Sequence, residues 1–339
     1  MPPTIAVLGA GPAGAAAART LAEAGLHATV FDKGRVPGGR CSTRRRPAPG
    51  FDHGAQILPT DLSEPVAKLL RGAPLAAWPG SHLRTTPGGT DHRWPSPPLV
   101  PTPGMHALID DLLDHPNRIN IACSVRVARI DRLAGSLRLT DDNGNTLGEF
   151  DRLILALPAP QAAELLRGTE PDLADTAAAV RVLPCWAAMI RARPISDRHL
   201  ASITADQHPA VAWIARDSSK PGRDPVEHDH WVLHASTTWS TRHLELEKHE
   251  AAELLESTFL DALSELGLSP VLIDTHAHRW RYAFTGTPVG VDHLASDDGS
   301  IAVAGDWLLG DRITHAIESG IAAAETLVQE LAHAQPTDR

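Results

Sequence analysis

Cysteine is scarce: Cys41, Cys123 and Cys185 are the only three in 339 residues, and none forms a Cys-x-x-Cys pair. So sparse and odd a set excludes a disulfide framework and fits a reducing, cytoplasmic setting. Long hydrophobic runs are missing too. The longest candidate, Ile5 to Ala18, is broken by Gly9, Gly11 and Gly14 and follows no basic segment, so it does not read as a signal peptide. No other run reaches the roughly 18 apolar residues that cross a bilayer, and a soluble chain is expected. Cationic charge is in deficit: 31 Lys and Arg stand against 41 Asp and Glu, a net charge of −10. Such a field repels phosphate backbones and anionic lipid heads, which argues against nucleic-acid and membrane partners.

What is present is an ordinary globular balance, 42% hydrophobic and 21% charged residues, which rules out disorder and fibres. The length allows roughly two domains and burial of about three-quarters of the unfolded surface. At the N-terminus, Ile5 to Leu8 reads as a buried strand, Ala13 to Ala24 as a helix capped at Gly25, and Ala28 to Phe31 as a second strand with Asp32 at its end: a β-α-β unit. Proline and glycine crowd Pro47 to Pro103, where extended segments and loops are expected. Helical spacing returns at Met105 to Leu113 and Gln161 to Leu166. It is clearest at Glu247 to Leu266, with Ala251, Leu254, Leu255, Phe259, Ala262 and Leu263 on one face. Strands are expected within Ile119 to Ile130, at Ser136 to Thr140 before a turn at Asp141 to Gly144, and at Leu153 to Leu157. Further strands are expected at Cys185 to Ile190, Val211 to Ala215, Trp231 to Ser236 and Ile301 to Ala304, and a last helix at Thr314 to Leu331. The fold class is α/β: a Rossmann-type domain from 1–60, 97–165 and 285–339, with an inserted substrate domain, 61–96 and 166–284, built on an antiparallel sheet plus helices.

Gly9-Ala10-Gly11-Pro12-Ala13-Gly14 lies between the first strand and helix, the context a dinucleotide fingerprint requires. Gly9 permits the tight turn, Gly11 lets the backbone approach a pyrophosphate, and Gly14 allows close helix packing. The helix N-terminus offers free N–H groups and the positive end of a dipole. Asp32 follows at about 20 residues, where an acid accepts hydrogen bonds from a ribose 2′-hydroxyl. These features do not separate NAD from FAD. Gly38-Gly39-Arg40, soon after the acid, and Gly305-Asp306, at the end of the last strand, are two further clasps suited to the longer FAD.

At this point the chain resembles the renalase-like FAD-dependent oxidoreductases of the amine oxidase superfamily, above all the bacterial renalases. Beyond the fingerprint and Gly38-Gly39-Arg40, the resemblance rests on Gly54-Ala55-Gln56, Pro103-Gly104-Met105, Pro158-Ala159-Pro160-Gln161, and Trp213-Ile214-Ala215-Arg216 through Ser219-Lys220-Pro221. It continues through Leu233-His234-Ala235, Ala277-His278-Arg279-Trp280 and Gly305-Asp306-Trp307. The resemblance implies that Asp32 holds the adenosine ribose, Arg40 the pyrophosphate, Val127 the adenine through its backbone, and Asp306 the ribitol. The backbone at Ile313 would face the N1 and O2 edge of the flavin. With the fingerprint, the implied cofactor set is Gly9, Gly11, Ala13, Gly14, Asp32, Lys33, Gly39, Arg40, Gln56, Val127, Gly305, Asp306 and Ile313. The implied catalytic set is His234, Trp280 and Gln56.

The implied activity is oxidation of 2- or 6-dihydro isomers of NAD(P)H to NAD(P)+, with hydride passing to flavin N5 and dioxygen then yielding hydrogen peroxide. A dihydropyridine aromatises as it loses hydride, so no protein base is required, and positioning dominates. Related monoamine oxidases place a lysine on the strand that here reads Leu183-Pro184-Cys185-Trp186. None is there, and the only lysines are Lys33, Lys68, Lys220 and Lys248. The cysteine motif that tethers FAD in those enzymes is also missing, so noncovalent FAD is expected. Where relatives carry an aromatic residue after Gly-Ala-Gln, this chain has Ile57 and Leu58, and its only tyrosine is Tyr282.

Each singled-out residue also has a plainer reading. His234 is a substrate contact or a core histidine, and Trp280 a cavity wall or packing. His278, two residues before Trp280, is expected on the opposite strand face. The pairs His228/His230 and His276/His278 lack the further ligands of a metal site, so none is expected. Arg44, Arg45 and Arg46 either attract an anionic dinucleotide or form a solvated loop. Cys185 reads as a small apolar core residue. The competing functions are an amine or carotenoid-type desaturating oxidase and a redox-silent FAD protein with a partner-binding surface.

Overall fold

The structure is a computed structural model that describes residues 3–44, 50–92, 94, 96–224 and 227–334. Arg45 and Arg46 lie outside the described residues. The apolar runs Ile5–Leu8, Ala28–Asp32, Ile119–Cys123, Arg152–Leu155 and Ile301–Val303 form a parallel sheet, closed at one edge by the antiparallel strand Leu294–Ala295. Strands buried on both faces are continuous hydrophobic runs, as parallel sheets require. On one face lie the helices Pro12–Glu23, His106–Leu113 and Ile313–Ala334. Gly320 brings the last helix against the first, since a Cβ there would meet the Ala13 carbonyl oxygen at 2.1 Å. Leu8, Leu153 and Leu155 turn to the other face. They are covered by the three-stranded sheet of Val127–Arg132, Leu137–Asp141 and Thr146–Phe150 and by the helices Ala159–Leu166 and Pro171–Ala178.

A second, seven-stranded sheet runs in the order Leu272–Thr285, Val182–Ala192, Asp229–Ala235, Val211–Arg216, Leu200–Ala205, Ser81–Thr86, Gly89–His92. The expected antiparallel pattern holds except that Leu200–Ala205 and Ser81–Thr86 run parallel, because both enter the sheet from the same end. The helix Lys248–Ser264 covers one face through Ala251, Leu255, Phe259 and Leu263, and a capping box of Glu247 and Glu250 fixes its start. Leu254, expected on that face, is 46% exposed. Ser236, read as the end of a strand, instead caps the helix Thr237–Arg242, its hydroxyl accepting from the Trp239 N–H at 3.1 Å. The helix Glu64–Leu69 packs through Val66 into the same apolar cluster as the Rossmann helices.

Candidate active site

The glycine fingerprint builds a cradle in which Gly9 and Gly14 have a steric cause. Gly9 has φ +108°, and a Cβ there would lie 2.4 Å from the Ala156 carbonyl oxygen. A Cβ on Gly14 would lie 1.8 Å from the Gly9 carbonyl oxygen, so only glycine lets the helix start this close to the strand. Gly11 is different: nothing stands within 4 Å of a Cβ built there. It caps the helix without a side-chain hydrogen bond, leaving the first-turn N–H groups to face outward. Gly39, at φ +51°, faces it, a Cβ built on Gly39 lying 3.3 Å from the Gly11 Cα. Asp32 braces both loops, accepting from the Ala10 N–H at 2.7 Å and the Gly34 N–H at 2.6 Å. Lys33 next to it is exposed, and Val127 is half-buried at the start of a strand.

Between the two sheets lies a cavity of about 330 Å³, and Arg40, Gln56, His234, Trp280, Asp306 and Ile313 all line it. Ala13, Asp32, Lys33, Gly39 and Val127 do not. The Arg40 guanidinium donates to both Asp306 carboxylate oxygens, at 2.7 and 2.6 Å, and to the Ala283 carbonyl at 3.0 Å. This fork ties the glycine loop to the short helix Asp306–Leu309 and to the long strand of the second sheet. Gly305 sits tight against Trp307, and its N–H donates to the Ser319 hydroxyl at 2.9 Å.

The second sheet contributes one row of side chains. Trp280 stands opposite Cys185, His234 opposite Trp213, and Trp213 opposite Thr204, all on the face away from the helix Lys248–Ser264. Their neighbours Trp186, Leu233, Ile214 and Ile203 point into the helix-covered core, as strand alternation demands. The same alternation overturns the placement of His278. Residues two apart share a face, and its ring meets Trp280 edge-on at 4.4 Å and His53 at 4.8 Å. A single carbonyl, that of His53, accepts from Trp280 Nε1 at 2.8 Å and from His234 Nε2 at 3.3 Å. Burial holds His234 and His53 neutral, each lowered to about 4, and Lys220 and Arg44 respectively add to the effect. Burial, with His53 beside it, lowers His278 to about 3. Cys185 is buried, as expected, and burial pushes its thiol up to about 12, but it also reaches the cavity wall. Of the pairs His228/His230 and His276/His278, His230 stacks on Phe51 at 4.7 Å, and His278 belongs to the aromatic cluster.

Sequence reasoning missed a buried ion cluster behind Gln56. Lys220 Nζ donates to Asp217 at 2.9 Å, to Asp52 at 3.1 Å and to Gln56 Oε1 at 3.1 Å, and Arg223 bridges the same two carboxylates. Burial alone would raise the Asp52 pKa, but the two cations, with bonds from Thr43 and Met105, hold it down to about 2. An ammonium only donates, so it fixes the Gln56 amide with Oε1 toward Lys220 and Nε2 toward the carbonyls of Asp52 and Gly54. The signal in sequence was Asp217 and Lys220, acid and base three apart on a short loop, which looks like solvated charge until the tertiary fold buries it.

Residues 7–73 match the model of an NAD(P)-binding Rossmann-like domain, and residues 74–328 match that of flavin containing amine oxidoreductases. The chain belongs to the flavin containing amine oxidoreductase family. It is an FAD-dependent oxidoreductase, and the open Gly11 cradle and the cavity beyond it suit that cofactor. Solved structures share the fold at low identity. A protein from Exiguobacterium sp. 255-15 assigned as a protoporphyrinogen oxidase matches with TM-score 0.75 and 14% identity, over 97% of this chain and 99% of that one. Cyclohexylamine oxidase from Brevibacterium oxydans IH-35A matches with TM-score 0.73 and 13% identity, over 98% of this chain and 100% of that one. Over a shorter stretch of 56 residues, 16% of this chain and 9% of the relative, the oxidoreductase is 43% identical to phytoene desaturase of Cercospora nicotianae. Among the described residues, no helix is long and apolar enough to cross a membrane.

Proposed function

We propose that this oxidoreductase is a dihydropyridine oxidase, taking 2- or 6-dihydro isomers of NAD(P)H to NAD(P)+ with dioxygen as the final acceptor. The observation that carries the reading is the character of the cavity wall. Its aromatic faces, Trp213 and Trp280, accompany a histidine held neutral far below its ordinary range, and the nearest lysine is locked among carboxylates. A wall whose histidine stays neutral around pH 7 suits a substrate that aromatises as it loses hydride. FAD, when bound, supplies the hydride acceptor. Asp32, with Lys33 and Val127 beside it, would hold the adenosine end, and the Gly11 and Gly39 backbones with Arg40 the pyrophosphate. Asp306, Gly305 and the start of the helix at Ile313 would take the ribitol and ring edge. The cofactor would be noncovalent and so released by acid denaturation. Trp280 and Trp213 would stack on the substrate ring, and His234 would orient it. Ile57, where relatives have an aromatic residue, lines this cavity, and Trp213 supplies a ring to the same wall.

The division between cofactor and substrate domains is proposed as read from sequence, with the helix Glu64–Leu69 moved to the cofactor side by its packing. The second reading is an amine or desaturating oxidase, favoured by the likeness to cyclohexylamine oxidase and phytoene desaturase. Anaerobic mixing with each dihydronicotinamide isomer and with cyclohexylamine, followed by flavin absorption, separates the two. Bleaching by the isomers alone is expected. Bleaching by the amine alone would reverse the assignment, and bleaching by neither would favour a redox-silent role.

A further inference from the structure

The row Trp280, Cys185, His234 and Trp213 ends at Thr204, directly opposite Trp213 and part of the same cavity wall. Thr204 is only 8% exposed, and its hydroxyl is buried with no hydrogen-bond partner among the described residues. Its carbonyl, by contrast, is used, accepting from the Thr85 hydroxyl at 3.4 Å. Ser202, two residues earlier and on the same face, shows what a satisfied hydroxyl looks like here: it pairs with His82 Nδ1 at 2.8 Å. Burying an unpartnered hydroxyl is unfavourable, and valine would fill the same volume without that penalty. Unlike Ser202, Thr204 therefore has a hydroxyl that the fold itself leaves unused. Rotation about χ1 exchanges its methyl and hydroxyl positions, so it can answer an occupant of the cavity without moving the backbone.

We propose that Thr204 is a specificity-determining residue whose hydroxyl hydrogen-bonds a carboxamide substituent on a flat heteroaromatic ring held beside Trp213. A hydroxyl donates and accepts, and a carboxamide offers one partner for each. The proposal rests on the dihydropyridine reading, since that class of substrate carries a carboxamide on its ring.

The test is titration of the FAD-loaded protein with NAD+, followed by perturbation of the flavin absorption, in wild type, Thr204→Val and Thr204→Ser, together with a melting curve of each. Thr204→Val is expected to weaken NAD+ about tenfold, Thr204→Ser by no more than about twofold, and the valine variant to melt no lower than wild type. Equal NAD+ affinity in wild type and Thr204→Val would overturn the assignment of Thr204 and leave the dihydropyridine reading standing. A lower melting temperature for Thr204→Val would overturn it too, by showing an internal role for the hydroxyl. Failure of the wild type to bind NAD+ would overturn the dihydropyridine reading, and the carboxamide assignment with it.

Discussion

Gly11 and Gly14 belong to one fingerprint but answer to different neighbours. A methyl on Gly14 would overlap the Gly9 carbonyl oxygen, whereas one on Gly11 meets only open space. Gly14→Ala should therefore cost the cofactor-free chain several kcal/mol or prevent folding, by a clash of backbone with side chain. Gly11→Ala should change the stability of the cofactor-free chain by less than about 1 kcal/mol yet weaken FAD more than about tenfold, because its methyl occupies the approach to the helix N-terminus. Thermal melts and FAD titration of the two variants check the contrast. Trp280, pinned by the His53 carbonyl and flanked by the His53 and His278 rings, is a rigid wall. Trp280→Ala should raise KM and slow flavin reduction together, by up to about a hundredfold, since the ring both binds the substrate and sets its approach. Stopped-flow reduction over a range of substrate concentrations separates the two effects.

The strands and loop that meet beside Trp280 concentrate three histidines in one apolar space. His53 and His234 are lowered by burial to about 4 in the folded protein, whereas in the unfolded chain they ionise near the ordinary histidine value. Below about pH 6.5 the unfolded chain takes up protons that the folded chain refuses, so stability is full above that value. It falls as pH drops toward about 4, where these two groups become charged in the fold. Each contributes up to about 1.4 kcal/mol per pH unit across that window. Urea midpoints measured from neutral pH down to about pH 4.5 should fall steadily, with a shallower fall in His234→Gln. Flavin reduction by the proposed substrate should stay flat from about pH 6 to 9, because the wall's His234, lowered to about 4, stays neutral there and the hydride transfer needs no base.

At the scale of the molecule, the ion cluster ties the second sheet to the chain that follows the glycine loops. Asp52 comes from the chain that follows the glycine loops, and Asp217, Lys220 and Arg223 come from the loop after the strand Val211–Arg216 of the second sheet. All four side chains are buried. Lys220→Met leaves two buried carboxylates facing one guanidinium and should destabilise the protein by about 3–5 kcal/mol. Adding Asp217→Asn restores the balance and should recover part of that loss, a coupling that a double-mutant cycle of urea unfolding measures.

The sequence alone determined the glycine cradle at the N-terminus, because its pattern is local. A strand, a glycine turn, a helix and an acid about 20 residues on lie on one short stretch. The hydrophobic runs likewise named the five parallel strands of the first sheet and both long helices, since buried strands leave an apolar signature. The cavity wall on the second sheet was decided by tertiary structure. Trp280, Cys185, His234, Trp213 and Thr204 come from five strands and form a row only once those strands pair in this register, which no single segment encodes. The strand Leu272–Thr285 carries polar and apolar residues together because it is the edge of its sheet, and so gave little periodic signal. In the sequence Lys220 was one of only four lysines, with no sign of burial. Only the folded loop, which brings it between Asp52 and Asp217 and against Gln56, turns it into a buried charge that holds the cavity wall in place.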